Sequence, residues 1–270
     1  MRIARFQVDG RTVYGEVVGP PGGETVVEWR GDFADGHLDP TGPEHRLADV
    51  VLLSPVAPSK VVAVAKNYAA HAREFGAEPP AVPQLFLKPS TAVVGPGQAI
   101  RLPAYDDHVD HEAELAVVIG RACRGVAADD VVDYILGYTV ANDVSARTAQ
   151  RAEPQWVRGK AFDTSCPLGP WIETAVRPDR LRVRCWIDGQ LRQDGCTADL
   201  VHPVPELVAY AASVMTLLPG DVVLTGTPAG VGPLAPGNLV TCAVDGIGEL
   251  TNPVVRGDGG PAAGDGAGGL

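Results

Sequence analysis

A β-rich α+β fold is predicted for this chain, and three features of the sequence predict it. Its apolar runs are mostly short, they are punctuated by 32 glycines and 24 prolines, and they do not alternate regularly with helical patterns. At 270 residues the chain is long enough to bury a core without crosslinks, and 45% hydrophobic with 20% charged residues is an ordinary globular composition.

The elements follow in order. Residues 1–57 carry short β-like runs at 2–8, 11–18 and 24–29, separated by turn clusters such as Gly19-Pro20-Pro21-Gly22-Gly23. They predict a small N-terminal antiparallel β-domain that ends in the proline-marked stretch 54–58. Residues 58–256 form the predicted catalytic domain, with strands at 61–65, 85–87, 115–119, 138–141, 183–187, 222–224 and 240–244. Three helices are expected there. One spans 68–75 and closes at Gly76; a second spans 128–136 with Asp129 and Asp130 in its first turn; the third spans 205–218 and stops at Pro219-Gly220. Residues 257–270 are glycine-rich with little apolar bulk and are expected to be disordered. No internal repeat is present.

Composition also excludes several function classes. A net charge of −11 argues against nucleic acid, whose phosphates call for clustered basic residues. No apolar run approaches the roughly 18 residues that span a bilayer, and the opening MRIARFQVDGRTVYG lacks the apolar core of a secretory signal. Five cysteines without CxxC spacing fit neither a disulfide framework nor a zinc finger. A cytoplasmic protein is the expectation. Arginine far outnumbers lysine, and the only lysines are Lys60, Lys66, Lys88 and Lys160, all in the second domain. Where Arg is the default, a Lys can mark a site that needs a compact ammonium; chance clustering is the alternative.

The run from His111 to Ile119 holds the chemistry. On a strand Glu112 and Glu114 share a face, while Ala113, Leu115, Val117 and Ile119 point the other way. Two like charges at the mouth of a buried strand need a counter-ion, which a divalent cation would supply. Asp143, past the apolar run 137–141, could add a third oxygen. Three carboxylates without cysteine favour a hard ion, Mg²⁺, Mn²⁺ or Ca²⁺, over zinc. On pattern alone a Glu-x-Glu strand is more often a solvated sheet face, and His108 and His111 read as surface histidines. His71 and Glu74, three apart on a helix, share a face and form either a surface pair or a base with its orienting carboxylate.

Ordered motifs reduce this ambiguity. Residues 65–74 (AKNYAAHARE), 86–89 (FLKP), 110–115 (DHEAEL), 137–147 (GYTVANDVSAR), 158–164 (RGKAFDT), 167–170 (PLGP), 224–232 (LTGTPAGVG) and 252–255 (NPVV) together resemble the fumarylacetoacetate hydrolase family, over most of the chain. The branch they resemble holds bacterial 2-hydroxyhepta-2,4-diene-1,7-dioate isomerases and acylpyruvases. The resemblance implies layered, rolled mixed β-sheets and usually a homodimer. It implies Mg²⁺ or Mn²⁺ (with Ca²⁺ as a substitute) held by Glu112, Glu114 and Asp143. It also implies catalytic roles for His71, Glu74 and Lys160, and contact of Arg147, Gln150 and Thr227 with a small oxo-acid substrate. The implied reaction is hydrolysis of a C–C bond in an acylpyruvate-like or other 1,3-dicarbonyl acid through a metal-stabilised enolate. Decarboxylation of an oxaloacetate-type acid, isomerisation of a 2-hydroxymuconate-type dienoate and non-catalytic ligand binding are the alternatives. The chain departs from the family pattern at Ala65, His111, Thr148 and Cys166, where a glycine, an aromatic, an acid and a phenylalanine are usual. Ala65 is expected to restrict the entry loop and Cys166 to reshape the pocket wall.

Overall fold

The structure, a computed structural model, describes residues 1–30 and 42–257; the expected disorder of the glycine-rich tail lies, from residue 258 on, outside the described residues. Two sheets face each other across the main core. The larger runs, edge to edge, through Glu44–Arg46, Thr25–Glu28, Arg11–Val18, Arg2–Val8, Cys166–Glu173, Ile135–Asn142, Ala113–Ile119, Val222–Leu224, Lys60–Ala65 and Gln84–Pro89. A five-stranded sheet of Gln190–Cys196, Arg182–Ile187, Leu239–Val244, Gly248–Arg256 and Ile100–Leu102 covers it. The β-rich α+β expectation holds. Arg2–Val8, Arg11–Val18 and Thr25–Glu28 pair antiparallel, and they continue the large sheet because Arg2–Val8 pairs antiparallel with Cys166–Glu173.

The Ala113–Ile119 strand is buried on both faces, as expected of a strand in the middle of a covered sheet. Leu115, Val117 and Ile119 point into the core shared with Val183, Cys185, Val240 and the Val204–Val214 helix. Ala116 and Val118 point into a second core with Val61, Ala63, Leu168 and Leu224. Glu114 shares the face of Ala116 and Val118, so the solvated-sheet alternative for this strand does not apply.

The helices differ in part from expectation. The first, Ala69–Glu74, is present, and Gly76 behind it takes a left-handed φ of 64°. The segment expected to be the second helix is a 3₁₀ turn, Ala128–Tyr134, after which the chain extends at once into the Ile135–Asn142 strand. β-branched Val131 and Val132 and the pairing of the following residues stop it from becoming an α-helix. The third helix ends at Val214, short of 218, because Met215 is already extended. Two short helices, Arg147–Ala152 and Val157–Lys160, were not expected and carry site residues.

The parallel pairing of Val222–Leu224 with Lys60–Ala65 is held at one end by Asp221. This fully buried carboxylate accepts hydrogen bonds from Ser59 N (3.1 Å), Ser59 Oγ (2.6 Å), Lys60 N (3.2 Å) and Leu218 N (2.8 Å), and pairs with the Lys60 ammonium. Burial alone would raise its pKa, but the bonds from Lys60, Ser59 and Leu218 lower it below the ordinary 3.8. A lowered folded-state pKa means the stabilisation is present above the unfolded pKa and is lost as pH falls through the folded one. Asp221→Asn is expected to cost roughly 1.5–3 kcal/mol at neutral pH, the worth of hydrogen bonds to a charged group. Thermal unfolding of parent and variant should show a gap that narrows below about pH 4; a gap independent of pH would refute the charge-based account.

Candidate active site

The three carboxylates gather at the ends of adjacent strands. Ala113 pairs with Asn142 and Glu114 with Ala141, so Glu112 and Asp143 sit one residue beyond the ladder on each side. Asp143 N donates to Glu112 O at 2.8 Å, and Glu112 N donates to Asn142 Oδ1 at 2.9 Å, which fixes both backbones. Ligand oxygens of Glu112, Glu114 and Asp143 all lie within 4.8 Å of one another, and all three residues are buried.

Cations compensate two of the three. Glu112 receives Arg147 Nη2 at 2.7 Å and Lys160 Nζ at 2.8 Å. Asp143 receives Lys160 Nζ at 2.7 Å and Lys88 Nζ at 2.6 Å. Burial alone would push the Glu112 carboxyl up, yet Lys160 and Arg147 hold it well below the carboxylate range. Burial likewise works against the Lys160 ammonium, but Asp143 and Glu112 keep its pKa raised and the charge in place. Glu114 has no such partner. One oxygen accepts from Gly226 N at 2.6 Å, and burial, then the charges of Asp143 and Glu112, push its carboxyl well above the usual range. That bond needs Gly226 itself: φ is +99°, and a Cβ there would lie 2.8 Å from Asn67 Cβ.

These donors fit a hard divalent cation: three buried carboxylates converge, and one of them lacks a counter-charge. His111, expected at the surface, is buried and hydrogen-bonds Gln193 Oε1 through Nδ1 at 3.0 Å, outside the carboxylate cluster. His108 pairs with Asp110 at 3.2 Å and is half exposed. Cys166 lies in the second core, where burial pushes its thiol up to about 12, and it does not line the cavity; Ala65 does.

A cavity of about 450 Å³ opens over the cluster and is lined by Glu112, Glu114, Asp143, Lys160, His71, Arg147, Gln150 and Thr227, with Phe75, Phe86 and Trp156 as aromatic walls. Eight of the nine candidate residues thus share one cavity, and the ninth, Glu74, reaches it through His71. His71 Nδ1 lies 3.2 Å from Glu74 Oε2, and Glu74 Oε1 accepts from Gly230 N at 2.7 Å. Arg147 is engaged by protein on all sides: Nε donates to Asp110 Oδ2 (2.7 Å), Nη2 to Glu112 and Nη1 to Gln150 Oε1 (3.0 Å), with the guanidinium 4.9 Å from the Phe75 ring centre. Thr227 Oγ1 donates to Ala113 O at 2.8 Å and accepts from Gln193 Nε2 at 2.7 Å. The short helices bring Arg147, Gln150 and Lys160 together because Gly159 has no side chain; a Cβ there would meet Gln150 Cα at 2.8 Å.

Lys88 and Asp110 were not among the candidates. Both stood inside quoted motifs, and Lys88 was one of only four lysines, which was the available signal. Three of those four (Lys66, Lys88 and Lys160) belong to the site, while Lys60 holds Asp221.

A converging acid cluster, a histidine–carboxylate pair and buried ammonium groups at one cavity define a site of the kind metal-assisted enzymes carry. The model of the fumarylacetoacetate hydrolase C-terminal domain matches residues 60–255, and a separate model, Rv2993c-like N-terminal, matches residues 1–55. The chain belongs to the fumarylacetoacetate hydrolase family. The crystal structure of 5-carboxymethyl-2-hydroxymuconate delta-isomerase from Mycobacterium smegmatis is 48% identical, with a TM-score of 0.89 over 95% of this chain and 100% of that one. A mitochondrial oxaloacetate tautomerase from Xenopus laevis is 41% identical over 221 residues, 77% of this chain and 69% of its own. Fumarylpyruvate hydrolase from Pseudomonas aeruginosa, solved with Mn²⁺ and pyruvate, is 35% identical with a TM-score of 0.69, covering 73% of this chain and 89% of that one.

Proposed function

We propose that this protein is a Mg²⁺- or Mn²⁺-dependent hydrolase that cleaves a C–C bond in an acylpyruvate-like or other 1,3-dicarbonyl acid. The observation that carries this reading is the His71–Glu74 pair opening on the same cavity as Glu112, Glu114 and Asp143. A divalent ion held by those three carboxylates supplies Lewis acidity to the neighbouring oxygens of a 2-oxo acid.

The residues supply the rest. Glu74 Oε2 accepts from His71 Nδ1, which leaves Nε2 of the neutral ring as the basic nitrogen. Nε2 takes a proton from water, the hydroxide adds to the distal carbonyl, and the C–C bond breaks with its electrons passing to the oxo-acid enolate. Lys160 Nζ, between Glu112 and Asp143, places fixed positive charge where that enolate oxygen develops. The proton taken up at Nε2 passes to the enolate carbon, which completes the reaction and restores the base. Arg147 holds Glu112 in position from the outer side, and Thr227 lines the cavity next to Glu114.

A second reading, isomerisation or keto–enol tautomerisation of an oxo-acid, uses the same enolate without a water step. It is favoured by the similarity to an isomerase at 48% identity and to an oxaloacetate tautomerase at 41%. Replacement of His71 by Ala distinguishes the two. Hydrolysis of an acylpyruvate should fall by about 10²–10⁴-fold, the usual worth of a general base, while Mn²⁺ binding measured by calorimetry is retained. Undiminished hydrolysis by that variant would sink the assignment of His71 as base.

A further inference from the structure

The cations near the carboxylates are all engaged: Lys88 by Asp143, Lys160 by Glu112 and Asp143, and Arg147 by Asp110 and Glu112. Lys66 is not. It lines the same cavity, is only partly exposed, and makes no hydrogen bond or ion pair with any described residue. Its backbone is left-handed, φ 55°, a conformation that residues other than glycine rarely adopt. The next residue holds it there. Asn67 Nδ2 donates to His202 O at 2.9 Å and Thr225 O at 2.8 Å, and Asn67 Oδ1 accepts from His202 N at 2.9 Å. The chain thus fixes the backbone of Lys66, whose ammonium has no partner among the described residues, in a left-handed conformation on the wall of a cavity, an arrangement typical of ligand contacts.

Arg151, in the last turn of the Arg147–Ala152 helix, lines the cavity too and has no described partner. The remaining acid of the cavity wall, Glu153, is engaged by Arg158 at 3.1 Å. The free charge of this cavity away from the carboxylate cluster is therefore positive.

We propose that Lys66, with Arg151 as a second free cation, forms an anion subsite for the far carboxylate of a dicarboxylic 2-oxo acid whose oxo-acid end lies at Glu112, Glu114 and Asp143. This rests on the oxo-acid reading of the site, and it assigns the residues of this chain that would read a second carboxylate. Aromatic walls from Phe86 and Trp156 suit the carbon segment between the two ends.

Calorimetry of the Mn²⁺-loaded protein tests it with three ligands: oxalate, 2-oxoadipate and 2-oxohexanoate, the last two differing only in the terminal carboxylate. The parent should bind the diacid about tenfold or more tightly than the monoacid, the worth of one charge-assisted hydrogen bond. That preference should vanish in Lys66→Met and return in Lys66→Arg. An unaltered preference in Lys66→Met, with oxalate still bound, overturns the subsite and leaves the oxo-acid reading intact. No oxalate binding by the parent overturns the oxo-acid reading and the subsite with it.

Discussion

Replacing Glu114 with Gln is expected to abolish the response of the protein to divalent metal while leaving the metal-free fold at least as stable as the parent. In the metal-free protein Glu114 is the one member of the cluster with no ion pair, and burial, then Asp143 and Glu112, work against its charge. Glutamine keeps an oxygen to accept from Gly226 N and removes that repulsion. The loss is that of a ligand charge, so the fall in Mn²⁺ affinity should exceed the roughly 10–100-fold typical of losing an outer hydrogen-bond partner. Melting curves with and without Mn²⁺ read both effects. The parent gains about 2.7 kcal/mol when metal is present at a hundred times Kd, and the variant should gain nothing at the same concentration. A parent-like metal shift in Glu114→Gln would remove this residue from the proposed ligand set. Such a trade of stability against function is common where like charges are gathered for a purpose.

Lys88→Met is expected to be the most destabilising single change at the site. Lys88 is fully buried, and its Nζ lies 2.6 Å from Asp143 Oδ1. Methionine fills similar space but leaves that oxygen without its partner in a site shut off from water, a loss of about 3–5 kcal/mol for a broken buried pair. Urea denaturation measures it. The double variant Lys88→Met with Asp143→Asn should recover part of the loss, because it removes the charge on the oxygen that Lys88 leaves without a partner. If the two changes simply add, the pair is not the source of the effect.

How much of this was legible in the sequence depends on the range over which each feature is set. Strand positions were, because an apolar run such as 115–119 bounded by polar or turn residues is a local signal. The short helices Arg147–Ala152 and Val157–Lys160 were not, since a turn or two of polar residues carries no periodicity to detect. The carboxylates were legible as a same-face pair, but their burial was not, because it depends on a second core packed against Ala116 and Val118. Lys88 shows the limit most clearly. Its motif marked it as unusual, but its partner Asp143 is 55 residues away and reaches it through strand pairing alone. His111 misled for the same reason: its side-chain partner, Gln193, is 82 residues on.

The parallel pairing of Lys60–Ala65 with Val222–Leu224 has a kinetic side. It closes a loop of about 160 residues, judged by the separation of 161 between Lys60 and Asp221, and such distant pairings come at a high entropic cost during folding. His71 and Lys88 follow one of these strands or lie on its neighbour, and Gly226 and Thr227 follow the other. Until that loop closes, His71 and Lys88 are separated from the turn that holds Glu114. A form in which these two strands have not paired therefore cannot bring Gly226 and Thr227 to the wall that carries His71 and Glu114.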